Sequence, residues 1–163
     1  MKKAIARRSY KGIEDDLIYM NKAHGYYHPV TNIVFVYDRE KDNAIICDDL
    51  YDLDDTGMSR ITLEKAELPE VKKCTISKQV LESVKTLIRE SNVMKIRSFE
   101  DTEFVVMDGE ANTFYFSADG KRKLIECDNF YMLYDGCDEA SNAGKIMKLV
   151  ADVEELLGKE INL

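Results

Sequence analysis

The chain has no long apolar run, and no segment rich in proline, glycine or serine that could join separate domains. Its run of β-branched and aromatic residues at 33–37 is far too short to cross a bilayer, which takes about 20 residues. The basic start, residues 1–12, is not followed by the apolar segment of a secretory signal. We therefore expect one cytoplasmic domain over residues 1–163, with no membrane as a partner.

The short motifs that would assign a reaction are also missing. The sequence contains no GxSxG, no Walker-type GxxxxGK and no GxGxxG. Its two histidines, His24 and His28, have the spacing of a helical zinc site, but Gly25 and Pro29 interrupt any helix there. We therefore predict no catalytic residues, no cofactor and no metal site, and we favour a protein that is not an enzyme.

Cysteines are few and are not arranged as a redox or zinc motif. The four of them, Cys47, Cys74, Cys127 and Cys137, include no CxxC pair, and a core of this size needs no crosslinks. They are expected to be free thiols in a reducing compartment. A disulfide between Cys47 and Cys127 is not expected.

Charge is plentiful and uneven. The formal net charge is −8, yet the first 11 residues carry five basic side chains and no acid, which leaves −13 on the other 152 residues. Such a body repels phosphate backbones, so we expect no binding of nucleic acid through the main surface. A protein partner with a basic surface fits this charge.

The densest acidic segment lies at residues 48–55, with five carboxylates within eight residues. Clustered oxygen ligands suit Ca²⁺, but an EF-hand alignment that starts at Asp52 puts Leu63 where the bidentate glutamate must be. A solvated acidic connection is therefore expected here, and not a metal site.

The sequence partly repeats itself at an offset of eighty residues. Residues 32–55 and 112–135 share Asn, Lys, Ile, Cys, Asp, Tyr, Leu and Asp in register without a gap. This echo predicts two β-rich units, about 32–92 and 112–158, related by an internal pseudo-two-fold duplication. Tyr51 and Tyr131 stand at matching positions, and we expect this pair to cap the cores of the two units.

Local patterns predict the following elements. Helices are expected at 13–24, 77–91 and 139–158, the last closed by Gly158. Strands are expected at 33–37, 44–47, 60–63, 93–97, 103–107, 112–117 and 121–127. Clustered strands with few helices between them indicate an α+β fold of antiparallel hairpins, or a meander, with covering helices.

Together these observations favour an acidic protein-binding module, an inhibitor or adaptor that docks on a basic surface; a mimic of nucleic acid is its sharpest form. One alternative is a small enzyme or ligand binder with a pocket between the two β units. Another is a structural subunit of an oligomer, and the oligomeric state stays open. The predicted partner-binding residues lie in the two acidic-aromatic segments: Asp48, Asp49, Tyr51, Asp52, Asp54, Asp55, Tyr131, Tyr134 and Asp135.

Overall fold

The computed structural model describes residues 5–6, 15–25, 31–40, 43–50, 71–101 and 109–161. Its strands are β1 (Ile5–Ala6), β2 (Leu17–Gly25), β3 (Thr31–Tyr37), β4 (Ala44–Leu50), β5 (Val71–Cys74), β6 (Glu110–Ala118) and β7 (Lys121–Asp128). Its helices are α1 (Lys78–Glu90), α2 (Phe130–Leu133) and α3 (Asn142–Ile161), with a 3-10 turn at Val93–Lys95. The fold is α+β, as the sequence predicts.

All these strands join one antiparallel sheet in the order β1-β7-β6-β2-β3-β4-β5. Strand β2 is central, because it pairs with β3 on one side and with β6 on the other. The hairpins β3–β4 and β6–β7 therefore lie side by side, joined through β2. The turn between β6 and β7 is Asp119-Gly120, with φ of 52° and 73°, as a two-residue hairpin turn requires.

Helices α1 and α3 cover one face of the sheet. Ser77 caps α1, because its side-chain oxygen accepts a hydrogen bond from the Val80 backbone N–H at 3.2 Å. The stripes that these two helices bury against the sheet are Val80, Leu81, Val84 and Ile88 on α1, and Ile146, Leu149, Val150, Val153 and Leu157 on α3. Both stripes follow the 3.6-residue period by which the sequence predicts the two helices.

The opposite face of the sheet is also buried at its centre. Met20, Phe35 and Tyr115 are paired neighbours across the three central strands, and they are 8%, 8% and 0% exposed. Tyr37 on the same face of β3 is fully buried, and the Arg39 guanidinium lies 4.1 Å from the centre of its ring. The sheet is thus a central layer with apolar side chains on both sides, which agrees with the continuous apolar run at 33–37.

The predicted helix at 13–24 is wrong, since residues 17–25 form the central strand β2. Leu17, Ile18, Tyr19 and Met20 are four consecutive apolar residues, and all are buried between the two faces. In a short run of consecutive apolar residues, the spacing of the apolar positions cannot distinguish a helix from a strand that is buried on both faces. Pairing with two neighbouring strands decides the outcome, which the sequence of the segment alone does not show.

Other predicted elements fare differently. The strand expected at 93–97 is instead the 3-10 turn followed by extended chain, and α3 runs past Gly158 to Ile161. The strands expected at 60–63 and 103–107 lie outside the described residues. The helix at 77–91 and the strands at 33–37, 44–47, 112–117 and 121–127 are confirmed.

The internal duplication is not confirmed. Val36 and Phe116, eighty residues apart, both pair with Tyr19, so β3 and β6 run in the same direction and point matching positions to the same face. A two-fold rotation that exchanges the hairpins on either side of β2 reverses either the direction of the strands or the face of the sheet to which matching side chains point. The hairpins are therefore arranged as mirror images, which no rotation can relate. Their registers also differ by one residue, because Cys47 pairs with Ile33 while Cys127 pairs with Asn112.

The sheet also separates Cys47 from Cys127. Cys47 is on β4 and Cys127 on β7, with three strands between them. Neighbouring strands lie about 4.8 Å apart, which puts these backbones beyond the roughly 7 Å limit of a disulfide. Cys137, in the loop before α3, is a free thiol.

Candidate functional site

The first predicted acidic-aromatic segment is only partly described. Asp48 and Asp49 belong to β4, and the chain beyond Leu50 as far as residue 70 lies outside the described residues. Tyr51, Asp52, Asp54 and Asp55 therefore stay predictions, as does any contact of the side chains of Asp48 and Asp49. The second segment, around α2, can be built from its contacts.

Residue Tyr134 belongs to the core of this second segment. It is 3% exposed, and its ring lies 5.3 Å from the Phe99 ring and 5.4 Å from the Phe130 ring. Its hydroxyl donates a hydrogen bond to the Glu100 carbonyl oxygen at 2.9 Å. Burial, followed by the charges of neighbouring acids and thiols, raises the pKa of Tyr134 to about 12. The sequence predicts Tyr134 as a partner-binding residue, but its ring is not on the surface.

Tyr131 is half-buried and ties α2 to the central strand. Its hydroxyl lies 3.3 Å from the Asn21 amide oxygen, and the Asn21 amide nitrogen donates to Glu154 on α3 at 2.9 Å. Burial raises the pKa of Tyr131, and it does the same for Tyr19, a fully buried neighbour beside Glu154. Both phenols therefore stay neutral at physiological pH. This contact set packs α2 and α3 on β2.

The start of α2 is fixed by a close backbone contact. Asn129 has a left-handed φ of 55°, and its side-chain oxygen accepts from the Glu110 backbone N–H at 2.9 Å. Its own backbone N–H donates to the Glu110 carbonyl oxygen at 2.7 Å. Gly109 leaves room for this arrangement, because a Cβ atom there would lie 1.3 Å from the Asn129 side-chain oxygen.

Glu100 fixes the start of α3. Its carboxylate accepts hydrogen bonds from the backbone N–H groups of Asn142 and Ala143, at 2.7 and 3.5 Å. Burial alone would raise the pKa of Glu100, but these hydrogen bonds and the charge of Lys145 outweigh it, so the pKa is lowered. A carboxylate at a helix N-terminus is also stabilised by the helix dipole.

These contacts gather five exposed carboxylates at one end of the sheet, which we call the acidic end: Glu100, Asp101, Asp135, Asp138 and Glu139. Glu100 and Asp101 are close enough to Tyr134 for their charges to raise its pKa, and the other three lie in the loop between Tyr134 and α3. Met132 on α2, in the same stretch of chain, is 62% exposed. Among the described residues, Met132 is the one large apolar side chain that is exposed.

Of the five carboxylates of the acidic end, only Asp135 is predicted from the sequence as a partner-binding residue. The missed signal is composition, since residues 126–141 contain five acids and no lysine or arginine. The contribution of Glu100 and Asp101 has no local signal, because they reach this end only through contacts with Tyr134 and Asn142.

The described residues hold no group of three or more histidine, cysteine or acidic side chains placed to ligate a metal ion. None of the helices described is both long enough and apolar enough to cross a membrane. No family model, no curated protein and no solved structure matches this chain.

Proposed function

We propose that this protein is a non-enzymatic, cytoplasmic binding module, an inhibitor or adaptor, that docks the acidic end on a basic surface of another protein. The observation that carries the proposal is the set of five exposed carboxylates of the acidic end, with the exposed Met132 on the adjoining helix α2. Complementary charge speeds encounter with a basic partner, and a flexible thioether adapts to an apolar notch between the partner's charges.

The rigidity of the acidic end supports the proposal. Two backbone hydrogen bonds hold the loop between α2 and α3. The Cys137 N–H donates to the Tyr134 carbonyl oxygen at 3.1 Å, and the Ser141 N–H donates to the Asp138 carbonyl oxygen at 2.9 Å. The aromatic rings of Phe99, Phe130 and Tyr134 lie against one another beneath it. A surface that is ordered before binding loses less conformational entropy when the partner arrives.

The alternative, a small enzyme or ligand binder, requires a pocket between two β units. In the described residues the two hairpins lie in a single sheet, on either side of β2. They do not face each other across a cleft, so the geometry favours a surface that binds a protein.

The test is capture of partners from the source cell by the immobilised chain at low and moderate salt. The variant Asp135→Lys with Glu139→Lys should lose a partner that the unmodified chain retains, because both replaced carboxylates belong to the acidic end. The control variant, Glu40→Lys with Glu90→Lys, changes net charge equally at exposed positions elsewhere, and it should retain that partner. Equal retention by both variants, or no salt-sensitive partner at all, would contradict the proposal.

A further inference from the structure

A groove of about 510 Å³ runs between α1 and α3 on the outer side of the helical layer, away from the acidic end. Its α1 wall includes Ser83 and Thr86, and its α3 wall includes Asp152 and Lys159. The two helices are antiparallel, since the Ser77 N–H at the start of α1 donates to the Glu160 carboxylate near the end of α3 at 3.1 Å.

The groove has an apolar floor. Leu87 on α1 and Leu156 on α3 line it, and both are partly buried because they also pack against the core. The residues of each wall recur at intervals of three and four, so each wall is one stripe of helix surface. The α1 stripe from Gln79 to Leu87 is about 12 Å long, at about 1.5 Å per residue, which matches two turns of an additional helix.

The charge of the walls selects among possible occupants. Three carboxylates, Glu82, Asp152 and Glu155, face one ammonium group, that of Lys159. All three acids already have a basic partner: Glu82 pairs with Lys85 at 2.9 Å and Arg89 at 4.0 Å, Glu155 with Lys159 at 2.6 Å, and Asp152 with Lys148 at 3.4 Å. Exposed pairs of this kind contribute at most about 1 kcal/mol, so a basic group on a ligand can replace the internal partner at little cost.

We propose that this groove binds an amphipathic helix of another protein, with leucine-type side chains on the floor and lysine or arginine side chains against the acidic walls. Two antiparallel helices with a gap between them present the ridges and grooves into which a third helix packs. This surface is separate from the acidic end, so the inference stands independently of the function proposed above.

The test uses a synthetic, fluorescently labelled amphipathic peptide with leucines on one helical face and lysines and arginines beside them, and fluorescence anisotropy as the readout. We expect saturable binding that weakens as salt rises. Two control peptides should not bind measurably: a scramble of the same composition without helical periodicity, and a version with glutamate in place of every basic residue. Equal binding of either control would overturn the proposal.

Two matched protein variants localise the site. Ser83→Arg places a large basic side chain in the groove and should weaken binding of the peptide by at least about tenfold. Ala151→Arg makes the same change of charge at an exposed position of α3 outside the groove, and it should alter binding by less than about twofold. Thr86→Arg serves as a second groove variant, and circular dichroism checks that all three fold.

Two outcomes would overturn the assignment. One is unchanged peptide binding by both groove variants. The other is a concentration-dependent dimer of the unmodified chain that Ser83→Arg abolishes, because a second copy would then be the occupant of the groove. Failure of the acidic-end variants in partner capture would leave the peptide result unaffected, so the two proposals fail separately.

Discussion

At the scale of single residues, buried polar side chains connect parts of the chain that are distant in sequence. The side-chain amide of Asn43 forms hydrogen bonds with both backbone groups of Ile76. Its oxygen accepts from the Ile76 N–H at 2.6 Å, and its nitrogen donates to the Ile76 carbonyl oxygen at 3.1 Å. Asn112 accepts from the Phe130 N–H at 2.8 Å. A buried polar group that loses such a partner costs about 1 to 3 kcal/mol, so these asparagines help to select one fold.

Tyr134 makes stability depend on alkaline pH. Its pKa is raised to about 12, while an unfolded tyrosine has a pKa of about 10. The folded state therefore favours the neutral phenol, and its contribution is fully present below pH 10 and is lost as pH rises towards 12. We expect Tyr134→Phe to cost about 0.5 to 1.5 kcal/mol at pH 7, through the lost hydrogen bond to Glu100. The difference in unfolding free energy between the unmodified protein and Tyr134→Phe, measured with urea, should shrink above pH 10. A constant difference up to pH 12 would contradict the raised pKa.

At the scale of helices and strands, local signals sufficed wherever an element carries its own pattern. Helix α1 has a serine cap and one apolar stripe, and the β6–β7 hairpin has an Asp-Gly turn. Strand β2 lacks such a signal because it is buried on both faces, and its neighbours are supplied by hairpins on either side of it in the sheet. The acidic end was only partly predictable for a related reason, since Glu100 is brought there by a helix that begins 42 residues later.

Two glycines test these local assignments with opposite signs. Gly120 has a φ of 73°, which costs an L side chain roughly 1 to 2 kcal/mol, so Gly120→Ala should destabilise the protein by about that amount. Gly158 lies within α3, and a Cβ atom there meets nothing within 4 Å. Gly158→Ala should therefore stabilise the protein by about 0.5 to 1 kcal/mol. Thermal unfolding of both variants is the measurement, and a loss of stability at position 158 would show that α3 ends before it, as the sequence alone suggests.

At the scale of the whole molecule, the sheet is built outward from its central strand. Every position of β2 from Tyr19 to His24 is paired with both β3 and β6. Tyr19 and Asn21 face α3, and Met20 faces the opposite buried layer. Among the described residues, strand β5 pairs with β4 alone, so it is an edge strand of the sheet. Opening β2 requires separating both hairpins, whereas β5 can separate from one neighbour.

Native-state hydrogen exchange should reveal this order. The backbone amides of Tyr19 to Ala23 should exchange only through global unfolding, so their exchange free energy should equal the unfolding free energy measured with denaturant. The amides of Val71 to Cys74 should exchange at least about tenfold faster, through local opening at the end of the sheet. Low denaturant should accelerate the first group steeply and the second group weakly, because the two openings expose different amounts of surface. Equal rates and equal denaturant dependence would mean that the sheet opens as one unit and that β2 has no special place in its stability.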